Sequence, residues 1–402
     1  MKKRLGMLTG FLLLAGCLIA SMIAWSGSST SLGRENGKST TINVWLYDQE
    51  LAPLLEQYEK EHAELNVNIR TFRSWDSLYE ELLKAISANN APHIAEIAST
   101  YGVAQLIERG IVRPAVLTEE ALGNLIAEPF AAAFSYEGRQ WAIPVGGSVP
   151  VIYSNRELFH AAHAGEVPTD WSAVKPAASK IVKDVDEDGK TDIWGLAADP
   201  NMAWVHMNAS YDASVSGWER ERLLGSFERW RDYVNGARVM PPLQHELAAS
   251  QFIYGKVGML VSSSRKRAML EKYIGGKFDF DITPLPRDDR NAKLLLDARG
   301  LAVMASDTEA EALSHAVVRY MLDEQVQARL MREVSLIPAR VDVAEALLRS
   351  ADLTSREREV LLMTELLAVK VPEADDELRW RSYTDAQEKL ETYPDDTVNV
   401  AP

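Results

Sequence analysis

The sequence predicts an α/β protein of two lobes, each a mostly parallel sheet flanked by helices, joined by a hinge. Short runs rich in β-branched and aromatic residues alternate with amphipathic runs of helical length, the pattern of βαβ units. About 375 residues remain once an export segment is set aside, more than one core usually organises. Two proline-marked apolar stretches, Ala142 to Tyr153 and Thr283 to Pro286, read as crossings between lobes, so the first lobe is discontinuous in sequence. The expected division is 1–25 for a signal or anchor segment and 26–40 for a flexible tether. The first lobe then takes 41–147 plus 285–340, and the second 148–284 plus 341–402.

The chain opens with Lys2-Lys3-Arg4, an apolar stretch, and Leu14-Ala15-Gly16-Cys17, which contains its only cysteine. A basic start, an apolar stretch and a small-small-Cys site address a chain for export and for lipid modification on the Cys17 thiol. The apolar run continues to Trp25. Leu5 to Trp25 is therefore also long enough to span a bilayer uncleaved, and Ala24-Trp25-Ser26 offers a site to an ordinary signal peptidase. All three outcomes put the remaining chain outside the cytoplasmic membrane. Ser26 to Thr40, rich in Ser, Gly and Thr, has too little apolar surface to fold.

The elements follow in order. Thr41 to Tyr47 is a strand, and Leu51, Leu54, Leu55 and Tyr58 mark a helix. Leu65, Val67 and Ile69 alternate as a second strand, Leu78-Leu82-Leu83-Ile86 as a second helix, and Ile94 to Ile97 follows an Asn-Asn-Ala-Pro turn as a third strand. After the first crossing come helices at Trp171 to Val182, Trp218 to Asn235 and Arg265 to Ile274, then a strand at Phe278 to Ile282. Beyond the second crossing Gly300 to Met304 reads as a strand, and Ala310 to Leu322 and Gln325 to Glu333 as helices.

Composition excludes several classes. The formal charge of −15 becomes −18 when the three cations Lys2, Lys3 and Arg4 leave with the export segment, so a basic nucleic-acid footprint is absent. No cysteine follows Cys17, and no disulfide can form within the mature chain. Ser263-Ser264-Arg265-Lys266 fits Ser-x-x-Lys but lacks a later Lys-Thr-Gly or Ser-Asp-Asn, and reads as a helix start. The seven histidines show no zinc spacing, His245-Glu246 lacks a second histidine, and Gly33 to Thr40 is one residue short of a P-loop. Two carboxylates of a glycoside hydrolase leave no short signature among 58 acidic residues, so that reading stays as an alternative.

Several phrases together resemble the extracellular solute-binding proteins of ABC importers, in the sugar-binding group. They are Asn43-Val44-Trp45, Leu82 to Pro92, Gly138 to Pro144, Val151 to Asn155, Gly255 to Met259, Ala310 to Gln327 and Ile337 to Arg340, spread over roughly Thr41 to Val343. The sequence departs from that pattern at His93, where the family usually carries Asp. The resemblance implies the class II periplasmic-binding-protein fold and a carbohydrate held in the interlobe cleft. It further implies delivery to the transmembrane subunits of an ABC permease and no catalysis; with the Cys17 segment, whose apolar continuation is atypical of the family, a monomer tethered at the membrane's outer face or located in the periplasm is expected. A glycerophosphate-like solute or a sensor partner is the alternative within the same fold.

Sugars present flat CH faces edged by hydroxyls, and their sites combine aromatic platforms with short polar and charged groups. Carboxyl ends of parallel strands are where open sheets place ligands. The candidates are therefore Trp45, Tyr47 and Asp48 after the first strand, Trp75 and Asp76 after the second, and Ser99, Thr100 and Tyr101 after the third. Trp141 at the crossing, Trp204 with Asn208, Ser262, and Arg299 before a returning strand complete the set. Trp171, Trp218 and Trp230 lie within amphipathic helices and read as packing residues.

Asp184-Val185-Asp186-Glu187-Asp188-Gly189-Lys190-Thr191-Asp192 places Asp at relative positions 1, 3, 5 and 9 and Gly at 6, the spacing of a calcium loop with the Lys190 carbonyl at 7. Its twelfth position is Gly195 instead of the bidentate Glu, so a structural Ca2+ bound here is expected to be weak, and an acidic β-turn is the alternative.

Overall fold

Ile42, Val44 and Leu46 alternate with Thr41, Asn43 and Trp45, which makes Thr40–Leu46 a strand, β1, with one wholly buried face. The computed structural model describes residues 39–117, 125–199, 220–242, 245–287, 292–373, 382, 385–386 and 388–392. Cys17 with its export segment, Trp218, and the cleft candidates Trp204 and Asn208 lie outside the described residues. Leu54, Leu55 and Tyr58 of the helix Ala52–Glu61 cover the apolar face of β1, together with Val317 and Val318 of the helix Thr308–Tyr320. The strand starts at Thr40, one residue inside the expected tether.

Strands β2 (Leu65–Thr71) and β3 (Ile94–Ala98) lie parallel to β1 on either side of it, with the helix Trp75–Ser87 as their connection. The hairpin β4 (Ser135–Tyr136) and β5 (Arg139–Gln140) leads into β6 (Ile143–Ser148). The chain then crosses, and β7 (Pro150–Asn155), β8 (Trp194–Ala198), β9 (Val257–Ser263) and β10 (Phe280–Pro284) form a second sheet in the order β10-β7-β9-β8. On its return the chain adds β11 (Asp297–Val303) and β12 (Ile337–Pro338), giving the first sheet the order β12-β6-β11-β3-β1-β2. Beyond β12 the helix Ser355–Leu362 packs on the second sheet, where Arg356 Nε donates to the Phe280 carbonyl at 3.0 Å. Trp171 and Trp230 are buried in the core, as packing residues should be.

The α/β architecture with helix-flanked sheets is as expected, but the pairing is more mixed than mostly parallel. Among the described residues only β1–β2, β1–β3 and β8–β9 are parallel ladders. Strands β7 and β11 are the first after a crossing. They enter at the edge facing the other lobe and run away from it, against neighbours that run toward it.

The stretch read as a bare crossing is strand β6, hidden by Pro144, Gly146 and Gly147. Pro144 lies where the β6–β11 register shifts between Arg299 and Gly300, an irregularity that tolerates a residue without an N–H. A Cβ on Gly146 would lie 2.8 Å from the Ile337 carbonyl oxygen, so close pairing with β12 requires glycine. The departure at His93 also has a local reason. Its Nδ1 accepts the Asn43 N–H at 2.9 Å, the acceptor role a carboxylate would fill, and burial lowers the imidazole pKa so that the ring stays neutral.

Candidate functional site

Parallel strands β1 and β3 end at one edge of the first sheet, and β11 begins there, with Arg299 opposite Ala98. Tyr47 and Asp48 follow β1, and Trp75 opens the next helix behind the capping box of Ser74 and Ser77. These side chains assemble into one wall. The Tyr47 and Trp75 rings are 4.5 Å apart at 35°, and the Arg299 guanidinium lies 4.4 Å from the Trp75 ring centroid and 5.5 Å from that of Tyr47. Arg299 Nη2 is 2.7 Å from Asp297 Oδ2.

Beneath the aromatics lies a buried carboxylate corner. Glu96, in the middle of β3, is fully buried, and its Oε2 accepts the N–H groups of both Tyr47 and Asp48 at 2.8 Å. Burial, then the neighbouring charge of Asp48, push the Glu96 carboxyl up to about 7 against the pull of Arg299. Asp48 is 1 % exposed, and its Oδ1 accepts the Glu50 N–H at 3.0 Å. Asp48 Oδ2, Glu96 Oε1, and Arg299 Nε and Nη1 are buried without a hydrogen-bond partner, which is costly and leaves hydrogen-bonding capacity unused in this corner.

The opposite wall comes from the carboxyl ends of β8 and β9. Asp199 directly follows β8, and its Oδ2 accepts the Ser262 hydroxyl at 3.0 Å and pairs with Lys266. Ser263 Oγ accepts the Arg265 N–H at 3.3 Å and starts a 3-10 turn, Ser264–Lys266, so Ser-x-x-Lys is a turn whose lysine is engaged by Asp199. Arg265 reaches across to the first lobe, its guanidinium 2.5 Å from Asp48 Oδ1 and 3.2 Å from Glu50 Oε2. Burial opposes its charge, but the carboxylates of Asp48, Glu50 and Glu96 outweigh burial and hold its pKa above the ordinary arginine value.

The other candidates are placed differently. Trp45 stacks beside Phe72 at 5.2 Å and under the Arg70 guanidinium at 4.8 Å, because period two turns it to the sheet face opposite Leu46. Trp141 donates its indole N–H to the Tyr136 carbonyl at 2.9 Å and packs on the core. Tyr101 is buried and donates its hydroxyl to Asp76. Ser99 Oγ accepts the Ala298 N–H at 3.0 Å, locking β3 to β11, and with Thr100 it lines a crevice bounded by Leu296 and Pro129. Sequence reasoning passed over Glu96, Glu50, Asp199, Arg265 and Lys266. Glu96, a lone acid in the apolar run Ile94–Ala98, was the one visible signal, because a charge is rarely buried without a task.

In the acidic loop, carboxylate oxygens of Asp184, Asp186 and Asp188 lie within 4.8 Å of one another. Gly189, at φ +84°, makes the turn and donates its N–H to Asp184 at 2.8 Å; Lys190 donates its N–H to Asp188 and Val185 to Asp192, each at 2.8 Å. These bonds close the loop by themselves, and the Lys190 ammonium adds a 2.8 Å contact to Asp188.

Residues 54–357 match the family described as bacterial extracellular solute-binding protein. A binding protein of Brucella abortus is 20 % identical over 346 residues, covering 82 % of both chains. The diacetylchitobiose binding protein of Streptomyces coelicolor is 22 % identical over 357 residues, 81 % of this chain and 80 % of the relative. Among solved structures, the GacH receptor of Streptomyces glaucescens, determined unliganded and in complex with acarbose and an acarbose homolog, superposes with a TM-score of 0.74 at 20 % identity, covering 88 % of this chain and 93 % of the receptor. UgpB from Mycobacterium tuberculosis, in complex with glycerophosphocholine, gives 0.74 at 15 % identity over 89 % of this chain and 94 % of its own.

Proposed function

The chain belongs to the bacterial extracellular solute-binding proteins, and on that footing we propose that its interlobe cleft captures a carbohydrate and presents it to an ABC permease. The observation that carries this reading is the first-lobe wall, where the Tyr47–Trp75 pair stands over buried Asp48, Glu96 and Arg299, four of whose polar atoms have no partner. An aromatic platform matches the CH face of a sugar ring, and orphaned acceptors and donors match its hydroxyls. Ser262, Asp199 and Lys266 on the opposite wall would complete the enclosure of the solute. No bond is made or broken. Capture followed by release is the whole task.

Acarbose, diacetylchitobiose and maltotriose in a thermal-shift screen test this, since a solute at 100 times its dissociation constant stabilises by about 2.7 kcal/mol. No shift across a broad sugar panel, with a clear shift for glycerophosphocholine, would replace the carbohydrate reading. The second reading has its own support in the cations Arg265, Lys266 and Arg299, which suit a phosphodiester.

Membrane tethering through Cys17 fits a component that must stay near its permease. Labelled lipid retained by a Cys17→Ser variant would remove the lipid anchor, leaving the uncleaved helix or cleaved signal. For 184–192 we propose weak calcium binding by Asp184, Asp186 and Asp188 as a staple between the helix Trp171–Ile181 and β8. Absence of calorimetric heat at millimolar calcium removes it.

A further inference from the structure

Val149 is the single residue between β6 and β7, and it is bonded in both directions to Ser264: the Ser264 N–H donates to the Val149 carbonyl at 2.8 Å, and the Val149 N–H to Ser264 Oγ at 3.1 Å. Arg265 is the next residue. The turn that carries it therefore belongs to the second lobe and pivots where the chain first crosses. Asp48 belongs to the first lobe, held there by Glu96 on its N–H and oriented by the Glu50 N–H on Oδ1. An ion pair that takes its guanidinium from one lobe and both its carboxylates from the other persists only while the lobes are together.

The pair also occupies the corner that the solute needs. Asp48 is almost wholly buried, and Arg265 covers one of its oxygens while the other has no partner. An exposed ion pair contributes little, but removing one partner of a pair whose carboxylate is buried leaves an uncompensated buried charge. The contact is thus strong enough to bias an equilibrium between open and closed lobes.

We propose that Arg265 is a built-in competitor of the solute: with the cleft empty of solute it fills the carboxylate corner and holds the lobes together, and it leaves Asp48 when donor groups of the solute take its place. Arg265 thereby sets affinity. Solute binding is weakened by the fraction of molecules already latched, and a solute too poor in donors to displace the guanidinium is rejected. This rests on the solute-binding reading of the cleft.

The full chain carrying Cys17→Ser, with spin labels at Ser87→Cys on the exposed side of the first-lobe helix Trp75–Ser87 and at Ser179→Cys on the second-lobe helix Trp171–Ile181, reports the interlobe distance by pulsed electron paramagnetic resonance. With no solute added, the parent should show a dominant short distance. Arg265→Gln and Asp48→Asn should each enlarge a longer-distance population about tenfold or more. Glu50→Gln, which removes only an exposed partner, should do less. A parent already at the long distance, or folded variants that keep the parent's distribution, overturns the proposal. If Asp48→Asn does not fold, Arg265→Gln decides alone, and Arg265→Met stands in for it should that chain also fail. A sugar panel that produced no binding would count against carbohydrate capture but leave this distance measurement intact, so the two failures are separable.

Discussion

The Arg299 guanidinium lies 4.4 Å from the ring centroid of Trp75, so the indole has a cation against its ring and Tyr47, tilted by 35° at 4.5 Å, as its aromatic partner. Trp75 is only half-buried, packing against the edge of the core, and sits in the first turn of a helix capped by Ser74, so the start of that helix does not depend on its ring. Trp75→Ala should lower affinity for whichever sugar shifts the melting curve by about tenfold, the worth of one aromatic contact, while the solute-free melting temperature stays close to the parent's. Calorimetric titration of both chains checks this, and unchanged affinity would remove Trp75 from the site.

Glu96 gives the pH dependence a sign. Its folded carboxyl titrates near 7 and its ordinary value is 4.5, so between those values the folded chain holds a proton that the unfolded chain has lost. Stability contributed by this group therefore falls as pH rises from about 4.5 to about 7 and levels off above that. Glu96→Gln keeps an oxygen for the Tyr47 and Asp48 N–H groups and removes the charge. Urea midpoints measured across that window should decline less in Glu96→Gln than in the parent.

Gln327 is fully buried and joins three segments. Its Nε2 donates to the Val145 and Met321 carbonyls, both at 2.7 Å, and its Oε1 accepts the Ala339 N–H at 2.8 Å. Gln327→Leu has nearly the right volume but orphans these backbone groups, each costing about 1–3 kcal/mol when buried unpaired. Denaturant unfolding should show a loss of at least about 3 kcal/mol. A near-neutral result would mean that the backbone finds other partners.

Gly195 is the second residue of β8, against the helix Trp171–Ile181, and a Cβ there would lie 2.2 Å from the Ala178 carbonyl oxygen. Backbone must move to admit it. Gly195→Ala is expected to cost about 1–3 kcal/mol, with faster amide exchange in β8 and β9 and little change in β1 to β3.

The outline of the fold was legible because period and length are local properties: Ile42, Val44 and Leu46 alternate, and Leu78, Leu82 and Ile86 recur at helical spacing. Most of the first-lobe wall was legible for the same reason, since Tyr47, Asp48 and Trp75 sit just beyond strand ends and Arg299 lies on the returning strand; of that wall only Glu96 was passed over. Strand β6 was not, because its proline and glycines answer to β11 and β12, which arrive more than 140 residues later. Arg265 was hidden for a related reason. Within its own turn it reads as one of two cations, and its meaning comes from Asp48 in the other lobe. Trp45 went the opposite way, a suitable residue type at a promising place that the two-residue period faces away from Leu46.

The interruption of the first sheet has a consequence for the order in which the molecule can form. Strands β3 and β6 are separated by β11, so the middle of that sheet stays vacant until residue 303 has been made, whereas all four strands of the second sheet are present by residue 284. As the chain emerges amino end first, the sheet begun later is the first that can be completed, although its lobe still awaits the helix Ser355–Leu362. The earlier strands must wait with their edges unpaired, and slow emergence of residues 285–303 would prolong the interval in which they can pair wrongly.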